Sequence, residues 1–221
     1  VDLQSLSIDG REIQASDDLI LKLNQDNLVP YTDLLAEEPL PHQYFILRGK
    51  KGSCLAYFKP SKGMIQGLKN SPTGFGIKAR NAEQAFALHA VLDESATLVA
   101  LNGKAGTGKT LMANAGALEQ RSRFRKILVD RPIIGLAGKD LGYLPGEIKD
   151  KIGPHMAAIW DNFGVVAHQF NDGSPEQKKI QDVRESEKFS VLPLAFIRGR
   201  SLSKVILIVD EAQNLTPIEV K

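Results

Sequence analysis

With 221 residues, of which 43% are hydrophobic and 24% charged, the chain has an ordinary globular balance and is long enough to bury a full core. Its net charge of +2 does not announce a nucleic-acid binder, so any basic surface has to be local. The single cysteine, Cys54, excludes an intramolecular disulfide and a cysteine-rich zinc site, as suits a reducing cytoplasm, and no apolar run reaches membrane-spanning length.

Residues 1–70 read as a small adaptor. Leu3, Leu6 and Ile8 predict a short strand that ends at the turn pair Asp9-Gly10. Ser16-Asp17-Asp18 starts a helix carrying Leu19, Ile20, Leu21 and Leu23, which Pro30 closes. Two aromatic-rich runs, 43–48 and 54–59, flank the glycine-bearing loop 49–53 and predict a β-hairpin. Its basic tip is either an RNA contact or a solvated turn, and the residues alone favour the turn.

The breaker-rich stretch 69–74 divides residues 1–70 from a second domain, 71–221. Asn81 is placed to cap a helix whose apolar face holds Ala85, Leu88 and Leu92. Gln84 lies in the first turn of that helix. Its amide pairs a donor with an acceptor, as the N6/N7 edge of adenine requires, so Gln84 is the candidate base reader; a solvent-facing glutamine is the alternative.

An apolar run, Leu98, Val99, Ala100 and Leu101, predicts a strand. After Asn102 comes the octet Gly103-Lys104-Ala105-Gly106-Thr107-Gly108-Lys109-Thr110. This is G-x-x-x-x-G-K-[ST] between a strand-like and a helix-like run, the pattern of a phosphate-binding loop. Its glycines let successive backbone N–H groups turn toward phosphate oxygens, and the helix beginning near Gly108 aims its free N–H groups at the same anion. Lys109 can then reach the β- and γ-phosphates of ATP, and the Thr110 hydroxyl can hold Mg²⁺.

Residues 111–118 continue as a helix rich in small side chains, and 127–130 form a short buried strand, which completes a right-handed βαβ unit. Arg121, Arg123, Arg125 and Lys126 between them read as charges complementing the helix C-terminus. Residues 131–163 form a long Gly- and Pro-bearing loop that enters a helix after Pro145 and Gly146. A surface turn at 171–175 precedes a charged amphipathic helix over 178–188. An apolar strand-like run, 192–197, then leads into the loop Arg198-Gly199-Arg200-Ser201.

Val205, Ile206, Leu207, Ile208 and Val209 predict a strand buried on both faces, as in a parallel sheet covered by helices. Asp210 stands at its C-terminal end, where ligands bind in open α/β sheets and where a carboxylate is needed to organise Mg²⁺. Glu211 beside it can accept a proton from an attacking water. The expected fold is therefore α/β, a parallel-sheet P-loop NTPase core preceded by a small β-containing adaptor.

Four stretches, GKAGTGKT (103–110), DRPIIGLAGKDLGYLPGEIKDKI (130–152), FIRGRS (196–201) and VDEAQNLTPIEVK (209–221), resemble the PhoH family over roughly residues 71–221. The resemblance implies a P-loop ATPase related to the RecA-like core of superfamily-one helicases. By position, residues 103–110 resemble the phosphate loop, Lys109, Asp210 and Glu211 the catalytic and magnesium-organising groups, and Gln84 the adenine-reading glutamine. Residues 1–70 resemble the linker that joins a PIN nuclease domain to the ATPase in longer members that act on RNA, although no cluster of nuclease-type acids is visible in them. In this P-loop class the strand after Asp210 inserts beside the loop strand and carries a polar sensor. The chain reaches Lys221 before such a strand, so the resemblance implies a longer protein whose sheet and arginine finger are completed elsewhere.

The leading expectation is a cytoplasmic ATPase, away from membranes, that couples Mg-ATP hydrolysis to RNA binding or remodelling as a homo-oligomer such as a ring. Arg198 and Arg200 are then RNA contacts or charges offered to a neighbouring subunit's nucleotide, with solvated arginines as the alternative. A nucleotide-gated assembly module with little turnover and a P-loop kinase are the competing classes. The adjacent Asp210 and Glu211 argue against a kinase, because a base that activates water suits hydrolysis.

Overall fold

The computed structural model describes residues 10–26, 28–68, 71–132, 148–186, 188–191, 194, 197, 199, 201–217 and 219. The chain forms two compact units, Val1–Thr73 with Lys78–Leu101, and Gly74–Ile77 with Asn102–Lys221. Among the described residues no helix is long and apolar enough to cross a membrane.

The first unit is built on a five-stranded mixed sheet of β1 (Arg11–Gln14), β2 (Leu28–Pro30), β3 (Tyr44–Arg48), β4 (Ser53–Lys59) and β5 (Met64–Gly67), in the order β1-β3-β4-β5-β2. β3 and β4 are the hairpin expected from the aromatic runs, with Tyr44 opposite Tyr57 and Arg48 opposite Ser53. Period-two alternation sends Phe45, Leu47, Ala56 and Phe58 to a core that helix α1 (Asp17–Asp26) closes with Ile20 and Leu23. Ser16 starts α1: its hydroxyl accepts the Leu19 N–H at 3.3 Å and its carbonyl the Ile20 N–H at 3.1 Å. The helix stops at Asp26, ahead of Pro30, which instead ends the edge strand β2. A proline is tolerated there because an edge strand can leave one N–H unused. The strand expected at Leu3, Leu6 and Ile8 lies outside the described residues.

Helix α2 (Ala82–Leu92) starts where the cap residue predicts, with Asn81 Oδ1 accepting the Gln84 N–H at 2.8 Å. It buries Ala85, Phe86 and Leu88, and Phe86 packs on Tyr44 with ring centroids 4.8 Å apart. The Tyr44 hydroxyl and His89 Nδ1 are hydrogen-bonded at 2.8 Å. By compactness α2 groups with the first unit, which takes in Lys78–Leu101.

Two short strands, β6 (Thr73–Gly74) and β7 (Ile77–Lys78), frame a turn whose residues Gly74–Ile77 belong to the second unit. Gly76 holds a φ of +79°, and a Cβ on it would lie 2.6 Å from the Phe170 ring. Phe170 meets Phe75 edge to face at 5.5 Å. Gly76→Ala therefore combines a left-handed backbone with a clash, and should lower stability by roughly 1–3 kcal/mol, read as a lower urea midpoint at unchanged m-value.

The second unit contains α3 (Lys109–Glu119), β8 (Lys126–Asp130), α4 (Ile148–Ala167), α5 (Pro175–Glu185), β9 (Phe189–Val191) and β10 (Val205–Val209). Its three strands are all parallel, in the order β10-β8-β9. Small residues let α3 bury Ala115, Gly116 and Ala117 completely or nearly so, while Ile159, Phe163 and Val166 of α4 are buried with Phe189. Helix α5 begins three residues earlier than its charge pattern suggests, because Ser174 caps it (Gln177 N–H to Ser174 Oγ, 3.2 Å) and Pro175 takes the first position.

Three expectations are corrected. Residues 98–101 form no strand, and Leu98 is 89% exposed, so α3 and β8 stand without the first strand of the expected βαβ unit. β10 is not buried on both faces: it pairs only with β8 among the described residues, and Leu207 is 41% exposed. Finally, Phe189–Val191, between the charged helix and the apolar run, is a strand that the sequence did not announce, while of the run 192–197 only Leu194 and Ile197 are among the described residues.

Candidate nucleotide site

The site is assembled at the C-terminal ends of β8 and β10, where parallel strands deliver backbone and side chains to the N-terminus of α3. Gly106 and Gly108 hold φ values of +76° and +89°, which turn the loop into the first turn of α3 without a Cβ in the way. Thr107 Oγ1 donates to the Lys104 carbonyl at 2.9 Å and closes the loop on itself. Lys109 Nζ folds over it and donates to the carbonyls of Gly103 at 2.8 Å and Lys104 at 3.0 Å. One ammonium thus caps two carbonyls and stands at the positive end of α3, a concentration of positive charge that an anion would answer.

Thr110, the next residue, reaches across to β10. Its hydroxyl donates to Asp210 Oδ1 at 2.7 Å, a contact between residues a hundred positions apart. Arg131 Nη1 approaches the other carboxylate oxygen of Asp210 at 3.9 Å, and the Asp210 side chain is 13% exposed. The Asp210 N–H donates to the Asp130 carbonyl at 2.8 Å, which locks the two strand ends together. A hydroxyl and a carboxylate in contact are hard oxygen donors, the set a magnesium ion prefers, so the residues present fit that ion. Among the described residues there is no cluster of three or more His, Cys, Asp and Glu side chains that could by itself hold a metal ion.

Glu211 follows with a φ of +56°, in the left-handed region that a non-glycine residue occupies only at some cost. Strain of this kind concentrates at functional positions. The side chain is on the surface, where its carboxylate accepts a hydrogen bond from Gln213 Nε2.

Asp130 and Arg131 are site residues that sequence reading treated only as a strand end and a loop start. Asp130 is 3% exposed; its Oδ1 accepts the Leu194 N–H at 3.0 Å and its Oδ2 is buried without a partner. Burial pushes its carboxyl up to about 6, with the Glu219 charge adding to the rise and the backbone amides of Leu194 and Arg131 opposing it. A carboxyl raised on folding stabilises the folded state below its unfolded pKa, and that contribution is lost as pH rises through about 6. Asp130→Asn should therefore flatten the difference: parent and variant melts should diverge between pH 4 and 7, with the variant the more stable at the upper end. A parent as stable at pH 7 as Asp130→Asn, relative to pH 4, would contradict this.

Gln84 lies in the first unit, in the first turn of α2, with its Oε1 accepting the Arg80 N–H at 2.9 Å. Arg198 and Arg200 lie outside the described residues.

A family profile described as PhoH-like protein matches residues 76–221. The chain is 38% identical to Protein PhoH2 of Thermobispora bispora over 208 residues, covering 92% of this chain and 45% of that protein. It is 43% identical to Protein PhoH2 of Bacillus subtilis over 150 residues, 66% of this chain and 33% of that protein. Protein PhoH of Escherichia coli K12 is 35% identical over 147 residues, 66% of this chain and 39% of that protein. The chain thus spans less than half the length of these relatives.

Proposed function

This chain belongs to the PhoH-like protein family, and on that premise we propose that it binds Mg-ATP in residues 103–110 and hydrolyses it to drive RNA binding or remodelling. The observation that carries the reading is the 2.7 Å contact between Thr110 and Asp210, which puts the phosphate-loop hydroxyl and the strand-end carboxylate at one point. Lys109 would exchange its two loop carbonyls for phosphate oxygens when nucleotide enters, and Thr110 with Asp210 would hold Mg²⁺. The ion supplies charge neutralisation at the phosphates. Glu211, next to Asp210, accepts the proton of the attacking water.

The finer parts of the reading rest on the resemblance. The parallel strands of the second unit form part of a RecA-like, helicase-type sheet, and the working protein is a homo-oligomer in the cytoplasm. Residues 1–70 serve as the linker that follows a PIN domain. Gln84 reads adenine by exchanging its bond to Arg80 for the base, and Arg198 with Arg200 contacts RNA or a neighbouring subunit's nucleotide.

Phosphate release with and without RNA tests the proposal. Turnover that RNA stimulates supports it. Tight nucleotide binding without turnover points to the assembly module, and transfer of the γ-phosphate to an acceptor other than water points to the kinase.

A further inference from the structure

The three parallel strands bring a second set of charges together at the sheet end opposite the nucleotide site. β8 begins at Lys126, while β9 and β10 are immediately preceded by Lys188 and Lys204. The register sets Val205 beside Lys126 and Phe189 beside Ile127, so that Lys188 lies level with Lys126. Backbone bonds fix the arrangement: the Ile127 N–H donates to the Lys188 carbonyl and the Arg125 N–H to the Lys204 carbonyl, both at 2.7 Å. Neighbouring strands lie about 4.8 Å apart, so Lys126 and Lys188 stand side by side at the sheet end, while Lys204, level with Arg125, stands one residue further out on the other side of β8.

Lys188 also borders a shallow pocket of about 310 Å³, lined besides by Arg121, Ser122, Lys179, Val183 and Ser186, with Asp182 as the single acid. Among the described residues, Arg125, Lys126, Lys179, Lys188 and Lys204 have no ion-pair partner. Lys204 is moreover held at a φ of +53°, a left-handed conformation that costs on the order of 1 kcal/mol or more. Among the described residues that line this rim and pocket, Asp182 is the single acid beside Arg121, Arg125, Lys126, Lys179, Lys188 and Lys204, so positive charge is locally in excess although the chain as a whole carries only +2.

We propose that this rim, from Lys204 across Lys126 and Lys188 into the Arg121–Lys179 pocket, binds the phosphodiester backbone of single-stranded RNA. The inference rests on the RNA part of the proposed function and assigns that RNA a place on the molecule. A row of lysines and arginines with a hydroxyl donor matches phosphate oxygens, which accept from all three. The pocket wall offers Val183 as its one apolar side chain, which is not the aromatic or apolar anchor that a protein partner needs. The site lies about one strand length, roughly 17 Å, from Asp210, so RNA here leaves the phosphate loop open.

The test is fluorescence anisotropy of a labelled 20-nucleotide uridine RNA with the 221-residue chain and with the triple variant Lys126→Gln/Lys188→Gln/Lys204→Gln, over a series of salt concentrations. Each phosphate contact on a single strand contributes about 0.7 to the slope of log affinity against log salt, so the variant should lose about 2 from that slope. Its affinity should fall about tenfold or more at low salt. ATP affinity and melting temperature should match the parent, and the triple Lys→Arg variant should restore the slope. If the parent binds RNA and the glutamine variant binds it with the same affinity and slope, the rim is overturned and the RNA reading stands. If the parent binds ATP but no RNA, the RNA reading falls and the rim falls with it. Rim-dependent binding of polyglutamate without binding of RNA would overturn the proposal in favour of an acidic protein.

Discussion

Lys109→Ala should weaken ATP binding by about one to two orders of magnitude while leaving the fold unchanged. The loss follows from what the side chain touches. Among the described residues Lys109 Nζ donates to the Gly103 and Lys104 carbonyls, which lie on an exposed loop that water can satisfy once the ammonium is gone. Removing it therefore costs little packing, and alanine is at least as good a helix former at this first position of α3. With nucleotide bound, the same ammonium makes charge-assisted contacts worth roughly 1.5–3 kcal/mol, which is about 10- to 150-fold in affinity. Calorimetric titration with Mg-ATP reads this directly, and thermal melting serves as the control. Unchanged affinity in the variant would remove residues 103–110 from nucleotide binding.

The other large effect is on rate. Glu211→Gln should leave ATP and Mg²⁺ bound and slow phosphate release by roughly 10²–10⁴-fold, the usual contribution of a general base. The amide keeps the shape of the carboxylate and can still accept the hydrogen bond from Gln213 Nε2, so the left-handed turn at residue 211 has no reason to change. What it cannot do is take a proton. Asp210→Asn is the informative contrast: it should loosen the Mg²⁺ dependence of binding as well as turnover, because Asp210 is the partner of the Thr110 hydroxyl. Single-turnover phosphate release separates the two variants. A glutamine variant that hydrolyses at the parent rate would mean that another group is the base.

Much of this protein is written in short stretches of its sequence, wherever the interaction that specifies an element is itself local. Asn81 caps α2 because its side chain reaches an N–H three residues on, and Ser16 and Ser174 do the same for α1 and α5. The aromatic runs around residues 49–53 close into β3 and β4 because a hairpin needs only its own two strands and turn. The octet from Gly103 to Thr110 has the pattern of a phosphate loop, and its shape is local because the glycines that take its left-handed turns and the lysine that folds over it are all within eight residues.

Other features depend on which distant segments come together. Five aliphatics in a row announce the strand β10 but not how many neighbours cover it, and with β8 as its single described partner Leu207 stays exposed. Residues 98–101 have the same kind of composition and form no strand, because a ladder requires a paired neighbour and not only apolar side chains. α2 packs on Tyr44 in the first unit because Phe86 finds an aromatic surface there, a fact no helical periodicity contains. Asp130 became part of the site only when parallel pairing set β8 beside β10 and buried its carboxylate. The same pairing gathered Lys126, Lys188 and Lys204, separated by up to 78 positions along the chain (204 minus 126), at one end of the sheet. Charge and residue type are local properties, whereas burial and adjacency are decided by register, and register is set by the whole sheet.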